Sequence, residues 1–334
     1  MFNLYKLLFV STTMIGSMIS ISSYSWFGMW MGLEINLLSI IPLMSNSNNM
    51  FNNEATLKYF ITQVMASSLL LFSIILMSSN ILENWENNFS MIFNSSLLTK
   101  MGVAPFHFWF PEVMEGLNWN NCLLLLTWQK LAPMILLMYN NMILFFSLII
   151  IMSMMISGIM GINQLSMRKI MAYSSINHMG WMISSMIFME NIWLIYFLIY
   201  FLMTLNMIMM FKILNIFYLK QIFIMLNKNK LMKMFFILNF LSLGGLPPFL
   251  GFLPKWMTIQ LLIENNFFMI SMIMVLMTLM TMYFYIRITF TTFMINMNEM
   301  NFTFNNNISN WNIMIMNFLI TMGLLFSTLI FNFY

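Results

Sequence analysis

The sequence predicts an all-α polytopic membrane protein with about eleven transmembrane helices. Of its 334 residues, 61% are hydrophobic and only 7% are charged, and the mean hydropathy is +0.86. Apolar runs of about 18 or more residues recur from end to end, and such runs cross a bilayer as helices. A transmembrane barrel would show short alternating segments instead, and no polar stretch is long enough to fold as a soluble domain. We therefore expect a single transmembrane domain over residues 1–334.

The predicted helices follow the apolar runs, which are separated by short, mostly Asn-rich connections. They lie at about 2–22, 26–44, 55–79, 89–110, 119–138, 141–162, 168–189, 191–218, 232–264, 268–290 and 310–332. The first run has only Lys6 as a charge and lacks the cleavage site of a signal peptide, so we expect it to be retained as a helix. Residues 23–290 form the predicted core, and 291–334 form a C-terminal loop and last helix. No internal repeat is visible at the residue level.

The charges between the helices support this count, because one membrane face receives basic residues and the other receives only acidic ones. The basic face holds Lys6, Lys58, Arg168, Lys169, Lys212, Lys220, Lys228, Lys230, Lys233 and Arg287. The acidic face holds Glu83, Glu86, Glu190 and Glu264. By the positive-inside rule, the basic face and the N-terminus lie in the matrix or cytoplasm, and the C-terminus lies opposite. The stretch from Lys220 to Lys233 also fits contact with anionic lipid head groups.

Four ionisable side chains lie inside apolar runs: Glu34, Lys100, Lys130 and Lys255. A charge at the bilayer centre costs about 2.5–3.5 kcal/mol on insertion scales, so these residues are candidates for function. All four are predicted near mid-span, in a row parallel to the membrane plane. Burial disfavours the charged form of such groups and an opposite charge favours it, so a change in a neighbour can drive proton uptake or release. A static ion pair that fixes helix packing is the alternative, but one carboxylate cannot pair with three lysines.

Prolines are predicted to interrupt two of the helices. Pro105 lies shortly after Lys100, and Pro247 and Pro248 lie shortly before Lys255. Proline removes a backbone donor and leaves carbonyl groups free. In hydrocarbon such groups must face protein or water, and broken helices are common around transporter ion sites. A break beside a buried lysine, twice in one chain, favours an ion or proton pathway.

Three further residues are second-tier candidates for a proton path. His107 follows the first predicted break and His178 lies in the middle of the seventh helix, where an imidazole can relay protons near neutral pH. A hydrogen-bonded packing role explains either histidine equally well. Lys58 follows Glu54 at helical spacing near the basic face, which favours a surface ion pair over a proton entrance.

The sequence offers no ligand set for a redox cofactor or a metal. Cys122 is the only cysteine, which excludes an iron–sulfur cluster held by this chain alone. Two histidines are too few for a two-haem bundle. No glycine-rich turn follows a strand, as a dinucleotide site would require. We expect no cofactor in this chain and no nucleic-acid partner.

Five motifs occur in order along the chain: Trp30–Asn36 around Glu34, Lys100–Pro111, Thr127–Pro133 around Lys130, Arg168–Trp181, and Leu241–Trp256. Together they resemble the family of mitochondrial NADH dehydrogenase subunit 2, an antiporter-like membrane-arm subunit of respiratory complex I. The resemblance implies an Mrp-related fold that lacks the first three helices of bacterial relatives. It also implies that Glu34 and Lys100 interact near a proton uptake route, that Lys130 is a central relay, and that Lys255 leads onward.

The function implied by this resemblance is proton translocation across the mitochondrial inner membrane, with the N-terminus in the matrix and the C-terminus in the intermembrane space. NADH, FMN, iron–sulfur clusters and ubiquinone are then expected in partner subunits. The implied partners are other membrane-arm subunits, including neighbouring antiporter-like subunits, and phospholipid such as cardiolipin. Two alternatives stay open: a purely structural membrane-arm subunit, and a stand-alone Mrp-type cation/proton antiporter. The absence of Asp and the excess of buried lysine argue against a sodium site.

Overall fold

The computed structural model describes residues 4–45, 49–79, 86–226, 230–294, 317–318, 321 and 323. Within them the chain is α-helical, with one isolated β-bridge and no named strand. The chain divides into two compact units, Met1–Met152 (unit 1) and Ser153–Tyr334 (unit 2). The division falls inside helix α8 (Ile143–Ile162). Seven helical stretches of the described part are long and apolar enough to cross a membrane, and one of them, Trp119–Met138, consists of two consecutive helices.

The other helices of unit 1 are α1 (Leu4–Ser22), α2 (Trp26–Met44), α3 (Met50–Ser78), α4 (Glu86–Met101), α5 (Trp109–Gly116), α6 (Trp119–Leu126) and α7 (Trp128–Met138). The bounds of α2 agree with the predicted 26–44. Its start is set by Ser25, whose hydroxyl accepts a hydrogen bond of 3.2 Å from the backbone N–H of Gly28.

Helices α1 and α2 pack through small residues that let their backbones approach closely. A Cβ added to Gly32 of α2 would lie 2.5 Å from the backbone nitrogen of Ser20 and 2.8 Å from the carbonyl oxygen of Gly16, both on α1. Such close approach is the usual way in which membrane helices associate, because lipid provides no hydrophobic drive between them. On another side, Trp30 of α2 donates its indole N–H to the carbonyl of Ser67 on α3, at 3.2 Å. These contacts hold α2 between α1 and α3.

Replacing Gly32 by Leu is therefore expected to separate α1 from α2. The new side chain meets backbone, which cannot rotate away, so the free energy of unfolding should fall by about 1–3 kcal/mol. The measurement is the amount and the thermal midpoint of the assembled protein. Gly28→Ala is the matched control, because a Cβ there meets only the side chains of Ser23 and Ser25, at 3.0 and 3.1 Å. Equal amounts and midpoints for both variants would contradict the packing described.

Aromatic contacts mark one end of unit 1. The ring of Trp26, at the start of α2, lies 4.9 Å from that of Phe93 on α4 and 6.4 Å from that of Tyr139, which follows α7. We call Trp26, Phe93 and Tyr139 the aromatic end of unit 1. Close by in the chain, the side-chain amide of Asn94 donates to the carbonyl of Asn140 at 3.0 Å.

The opposite end of unit 1 is held by different polar contacts. Lys58 of α3 lies 2.9 Å from Glu112 of α5. Asn121 of α6 donates to the carbonyl of Leu43, near the end of α2, at 3.0 Å. The connections between helices that were predicted on the basic face thus lie together at the end with Lys58 and Glu112. The connections predicted on the other face lie together at the aromatic end.

The remaining helices of unit 2 are α9 (Met167–Met186), α10 (Glu190–Leu214), α11 (Leu219–Leu226), α12 (Lys230–Gly244), α13 (Phe252–Glu264) and α14 (Phe268–Met294). Helix α9 is buried along its whole length except at Arg168 and Lys169. It contacts α10, α13 and α14.

The connections between the helices of unit 2 also form two groups, one at each end of the helices. The segment before α9 pairs with the segment before α11 through the Ser166–Tyr218 bridge, and the Met167 N–H donates to the Phe217 carbonyl at 2.9 Å. At the other end, the rings of Phe188 and Phe267 lie 5.1 Å apart. The first set was predicted on the basic face and the second on the acidic face.

Four predicted spans differ from the structure in where helices end or how many they contain. The span 191–218 ends at Leu214 because Asn215 adopts the left-handed conformation, with φ of 50°, and stops the helix. The ranges 89–110, 119–138 and 232–264 each contain two helices: α4 with part of α5, α6 with α7, and α12 with α13. The span 310–332 lies outside the described residues apart from four positions. The count of eleven spans stays a prediction, as do the core at 23–290 and the missing first three helices.

Candidate functional site

Unit 1 contains three of the four charged residues predicted to form the row, Glu34, Lys100 and Lys130. Lys100 is 7% exposed and Lys130 is 1% exposed, and the Oε1 atom of Glu34 is buried. The Nζ atom of Lys100 and the Oε1 atom of Glu34 have no hydrogen-bond partner within the described part of the chain. The two groups nevertheless interact electrostatically, while the direct salt bridges among the described residues involve Lys58. A charged pair held apart in this way can respond to a small movement of either group.

The three charges of unit 1 lie at similar distances from its aromatic end. Along their helices, Glu34 is eight residues from that end, Lys100 is seven and Lys130 is nine. With a rise of 1.5 Å per residue, these offsets correspond to about 12, 11 and 14 Å. The geometry of unit 1 is therefore compatible with the predicted row.

Lys100 lies in the last turn of α4, at the first predicted break. The carbonyl oxygen of Lys100 accepts a hydrogen bond of 3.2 Å from the side-chain amide of Gln63 on α3. Helix α4 ends at Met101, and Gly102 takes a φ of 69°, a conformation that favours glycine. The chain resumes as a helix at Trp109, so Pro105 lies in the non-helical segment between α4 and α5.

Lys130 lies on α7 with its ammonium group 5.2 Å from the centroid of the Phe110 ring. Helix α7 is tied to α2 by reciprocal amide hydrogen bonds between Gln129 and Asn36, at 2.9 and 3.1 Å. Gln129 precedes Lys130, and Asn36 follows Glu34 by two residues. The amide pair therefore fixes the two helices beside their charged groups, a role that the sequence analysis missed.

Lys255 of unit 2 is 6% exposed and lies at the start of α13. Its Nζ donates a hydrogen bond of 2.7 Å to the carbonyl of Gly244, the last residue of α12, and lies 6.0 Å from the Trp181 ring. A helix end leaves such carbonyls free for other donors. Gly245 has a φ of 81°, and a Cβ on it would lie 2.9 Å from the Lys255 Nζ, so only glycine fits beside the ammonium.

The two segments that follow α4 and α12 share one pattern of backbone hydrogen bonds. They are Gly102–Phe106 and Gly245–Phe249, and each begins with a positive-φ glycine and ends in Pro-Phe. In each segment, the glycine N–H donates to the carbonyl three residues earlier in the chain. The N–H of the residue after the glycine donates to the carbonyl five residues earlier, and the phenylalanine N–H donates to the carbonyl three residues earlier. This is a local repeat, which was not visible from the sequence because only Gly, Pro and Phe coincide.

The two histidines are buried in different units. In unit 1, His107 is 2% exposed, with Nδ1 3.3 Å from the carbonyl oxygen of Pro105. In unit 2, His178 of α9 is 1% exposed, with Nδ1 3.0 Å from the hydroxyl of Tyr196 on α10. Both have hydrogen-bonding neighbours, which fits the packing role as well as the relay role.

Lys58 forms the predicted surface ion pair with Glu54, at 3.0 Å, and a second ion pair with Glu112, at 2.9 Å. Its side chain is 44% exposed. The ion-pair prediction is confirmed, and the proton-entrance role stays a prediction. Among the described residues, no group of three His, Cys, Asp or Glu side chains could hold a metal ion.

Comparison with known proteins assigns the chain to a family. Residues 23–281 match the family model described as NADH:quinone oxidoreductase/Mrp antiporter, TM. NADH-ubiquinone oxidoreductase chain 2 of Anopheles gambiae is 49% identical, over 91% of this chain and 90% of the relative. That of Aedes aegypti is 51% identical, over 98% and 97%. The chain belongs to the NADH-ubiquinone oxidoreductase chain 2 family. All four buried charges lie within the matched residues.

Solved structures share the fold of this chain 2 family member. A chain of respiratory complex I from Thermus thermophilus superposes with a TM-score of 0.86 at 22% identity, covering 97% of this chain and 78% of that chain. A chain of the Mrp complex from Dietzia superposes with a TM-score of 0.72 at 14% identity, covering 84% and 59%. The chain 2 family member therefore has an all-helical, antiporter-like membrane fold.

Proposed function

We propose that this chain is a core membrane-arm subunit of the proton-pumping NADH:ubiquinone oxidoreductase, and that it translocates protons through Glu34, Lys100, Lys130 and Lys255. Membership of the chain 2 family supports the assignment to that enzyme. The fold shared with chains of a respiratory complex and an Mrp complex supports a transport role. NADH oxidation and quinone reduction belong to partner subunits, which hold NADH, FMN, iron–sulfur clusters and ubiquinone.

The observation that carries the proposal is the separated, buried pair of Glu34 and Lys100. Their unpartnered atoms lie in an apolar helix bundle where each charge is costly, yet neither forms the short ion pair that a packing role would favour. A movement in a neighbouring subunit alters their interaction. Lys100 then gives up its proton, which passes to Lys130, and Lys255 acts later in unit 2.

The energy required matches small movements of buried charge. Moving one elementary charge against 100 mV takes about 2.3 kcal/mol. A tenfold change in proton affinity corresponds to about 1.4 kcal/mol, so one or two such changes account for the work. No large rearrangement of helices is needed.

The topology belongs to the same proposal. Eleven transmembrane helices, two of them interrupted at Pro105 and at Pro247 and Pro248, place the N-terminus in the matrix and the C-terminus in the intermembrane space. In each unit, the connections between helices form two groups. These are the two groups that the charge distribution assigns to opposite membrane faces. The partners are neighbouring membrane-arm subunits, including antiporter-like ones, and phospholipid such as cardiolipin near the basic stretch from Lys220 to Lys233.

The proposal is tested by Lys255→Met in the complete enzyme reconstituted into liposomes. This variant removes the relay charge of α13, so it should lower the number of protons moved per NADH oxidised. We expect assembly to be retained. Lys212→Met, an exposed lysine of the same unit, is the control. Normal pumping by the Lys255 variant would instead favour the purely structural role. Proton exchange by the isolated chain without partners would favour a stand-alone antiporter.

A further inference from the structure

Unit 2 contains a buried aromatic and polar cluster that the four charges do not account for. It consists of His178 on α9, Tyr196 and Tyr200 on α10, and Tyr285 on α14, each 1% exposed. The hydroxyl of Tyr196 lies 3.0 Å from Nδ1 of His178, and the rings of Tyr200 and His178 lie 5.2 Å apart. We call these four residues the tyrosine cluster.

Tyr285 joins the cluster from the α14 side. It lies near both Tyr196 and Tyr200. Its hydroxyl faces Ser174 of α9 without the geometry of a hydrogen bond. The hydroxyl of Tyr200 interacts with the neighbouring Ser175. Three helices thus direct hydroxyl groups to one place inside unit 2.

The cluster reaches the segment that holds Lys255. A Cβ added to Gly244 would lie 3.6 Å from a ring carbon of Tyr285, so the Tyr285 ring packs beside Gly244. The carbonyl of Gly244 is the acceptor for the Lys255 ammonium group, at 2.7 Å. The Trp181 ring, one turn of α9 beyond His178, lies 6.0 Å from the Lys255 ammonium group. Lys255 therefore has two neighbours that also adjoin the cluster.

Buried polar atoms beside the cluster lack partners within the described part of the chain. They are Oδ1 of Asn177, Nε1 of Trp181 and the hydroxyl of Tyr285. Each unsatisfied group costs about 1–3 kcal/mol, which is too much to retain three times for packing alone. Internal water commonly satisfies such groups, with about three hydrogen bonds per molecule. The cluster therefore has the polar lining that a hydrated proton path needs.

We propose that the tyrosine cluster is a proton-transfer chain that serves Lys255. The Lys255 ammonium releases one proton through water to the Tyr285 hydroxyl, which accepts it on oxygen as it gives its own proton onward. Tyr200 and Tyr196 do the same, and neutral His178 accepts the proton at one ring nitrogen and releases the proton of the other. Lys255 is left as a neutral amine, the released proton passes from His178 to water, the cluster returns to its neutral state, and Lys255 is reprotonated from the relay of the proposed function. The proposal rests on the proposed function and adds residues to it.

The test uses Tyr285→Phe and Tyr196→Phe in the complete enzyme reconstituted into liposomes. Each removes one hydroxyl and keeps the ring. Tyr283→Phe is the matched control, because it removes a hydroxyl from the same helix at a side chain that is 56% exposed. We expect the cluster variants to lose proton-coupled turnover by at least about tenfold, as loss of a proton-transferring group generally does, with the control unchanged.

The outcomes separate this proposal from the one on which it rests. If both cluster variants pump as the control does while Lys255→Met does not pump, the chain of tyrosines is wrong and the proposed function stands. A smaller amount of enzyme with normal pumping per molecule would show a packing role and would also overturn the proposal. If Tyr285→Phe does not assemble, Tyr196→Phe decides between these outcomes. Normal pumping by Lys255→Met would overturn both proposals.

Discussion

Lys130→Met in the complete enzyme is expected to preserve assembly and to remove proton-coupled turnover almost completely. Methionine has a similar volume and carries no charge, so it fills the same space without the cost of burying an ammonium group. The Lys130 ammonium is buried beside the Phe110 ring, so a methionine side chain at this position would pack against an apolar ring. A packing role for Lys130 therefore predicts normal function, and a relay role predicts a loss.

The rate of NADH oxidation and the rate of proton uptake should both fall at least about tenfold, because removing a group that transfers a proton generally costs that much or more. The two rates are measured on the same liposomes, with the amount of assembled enzyme determined in parallel. Lys6→Met is the control in the same unit, since Lys6 is exposed on α1. Full assembly with undiminished turnover and pumping would exclude the relay role of Lys130.

Glu34→Gln and Lys100→Met are expected to impair the same step, so that the double variant is no worse than the more severe single one. The two groups interact electrostatically, and the Oε1 atom of Glu34 and the Nζ atom of Lys100 have no hydrogen-bond partner among the described residues, so the interaction is lost when either charge is removed. Residues that act through one interaction show non-additive effects, and independent sites show additive ones. Each single variant should reduce proton-coupled turnover by about tenfold or more.

A double-mutant cycle on the initial rate of proton uptake measures this coupling. Glu54→Gln provides the control for loss of a carboxylate, because Glu54 is 63% exposed and its partner Lys58 keeps Glu112. Additive losses for Glu34 and Lys100 would show that the two charges act separately. That result would contradict the coupling of Glu34 and Lys100 on which the proposed function depends most.

The fold was predictable from sequence where apolar runs end in clear signals. Helix α2 begins after Ser25, whose capping hydroxyl is a local signal, and its predicted bounds agree with the structure. Helix α10 ends earlier than predicted because its apolar run continues past Asn215, and only the left-handed backbone there stops the helix. The sequence did not show that the segments Gly102–Phe106 and Gly245–Phe249 share one hydrogen-bond pattern.

The charged residues of the candidate site are conspicuous in the sequence, whereas its neutral polar residues are not. A lysine in an apolar run is rare, so Lys130 and Lys255 are conspicuous in the sequence. Tyrosine is common in this chain, and Tyr196 and Tyr200 look like ordinary lipid-facing or interfacial residues. Their spacing of four residues placed them on one face of a helix, but only the structure showed that this face meets His178. The amide pair of Asn36 and Gln129 was missed for the same reason.

The burial of α9 has a consequence for how this protein is made. Its sequence carries serines, an asparagine and a histidine and does not qualify by apolarity as a membrane-crossing helix, although it has 20 residues. A ribosome-bound insertion machinery that sorts segments one at a time by their affinity for lipid would pass it over. Helix α9 must therefore enter the bilayer together with a more apolar neighbour, such as α8 before it or α10 after it. Its polar groups then exchange water for protein without ever being exposed to lipid tails.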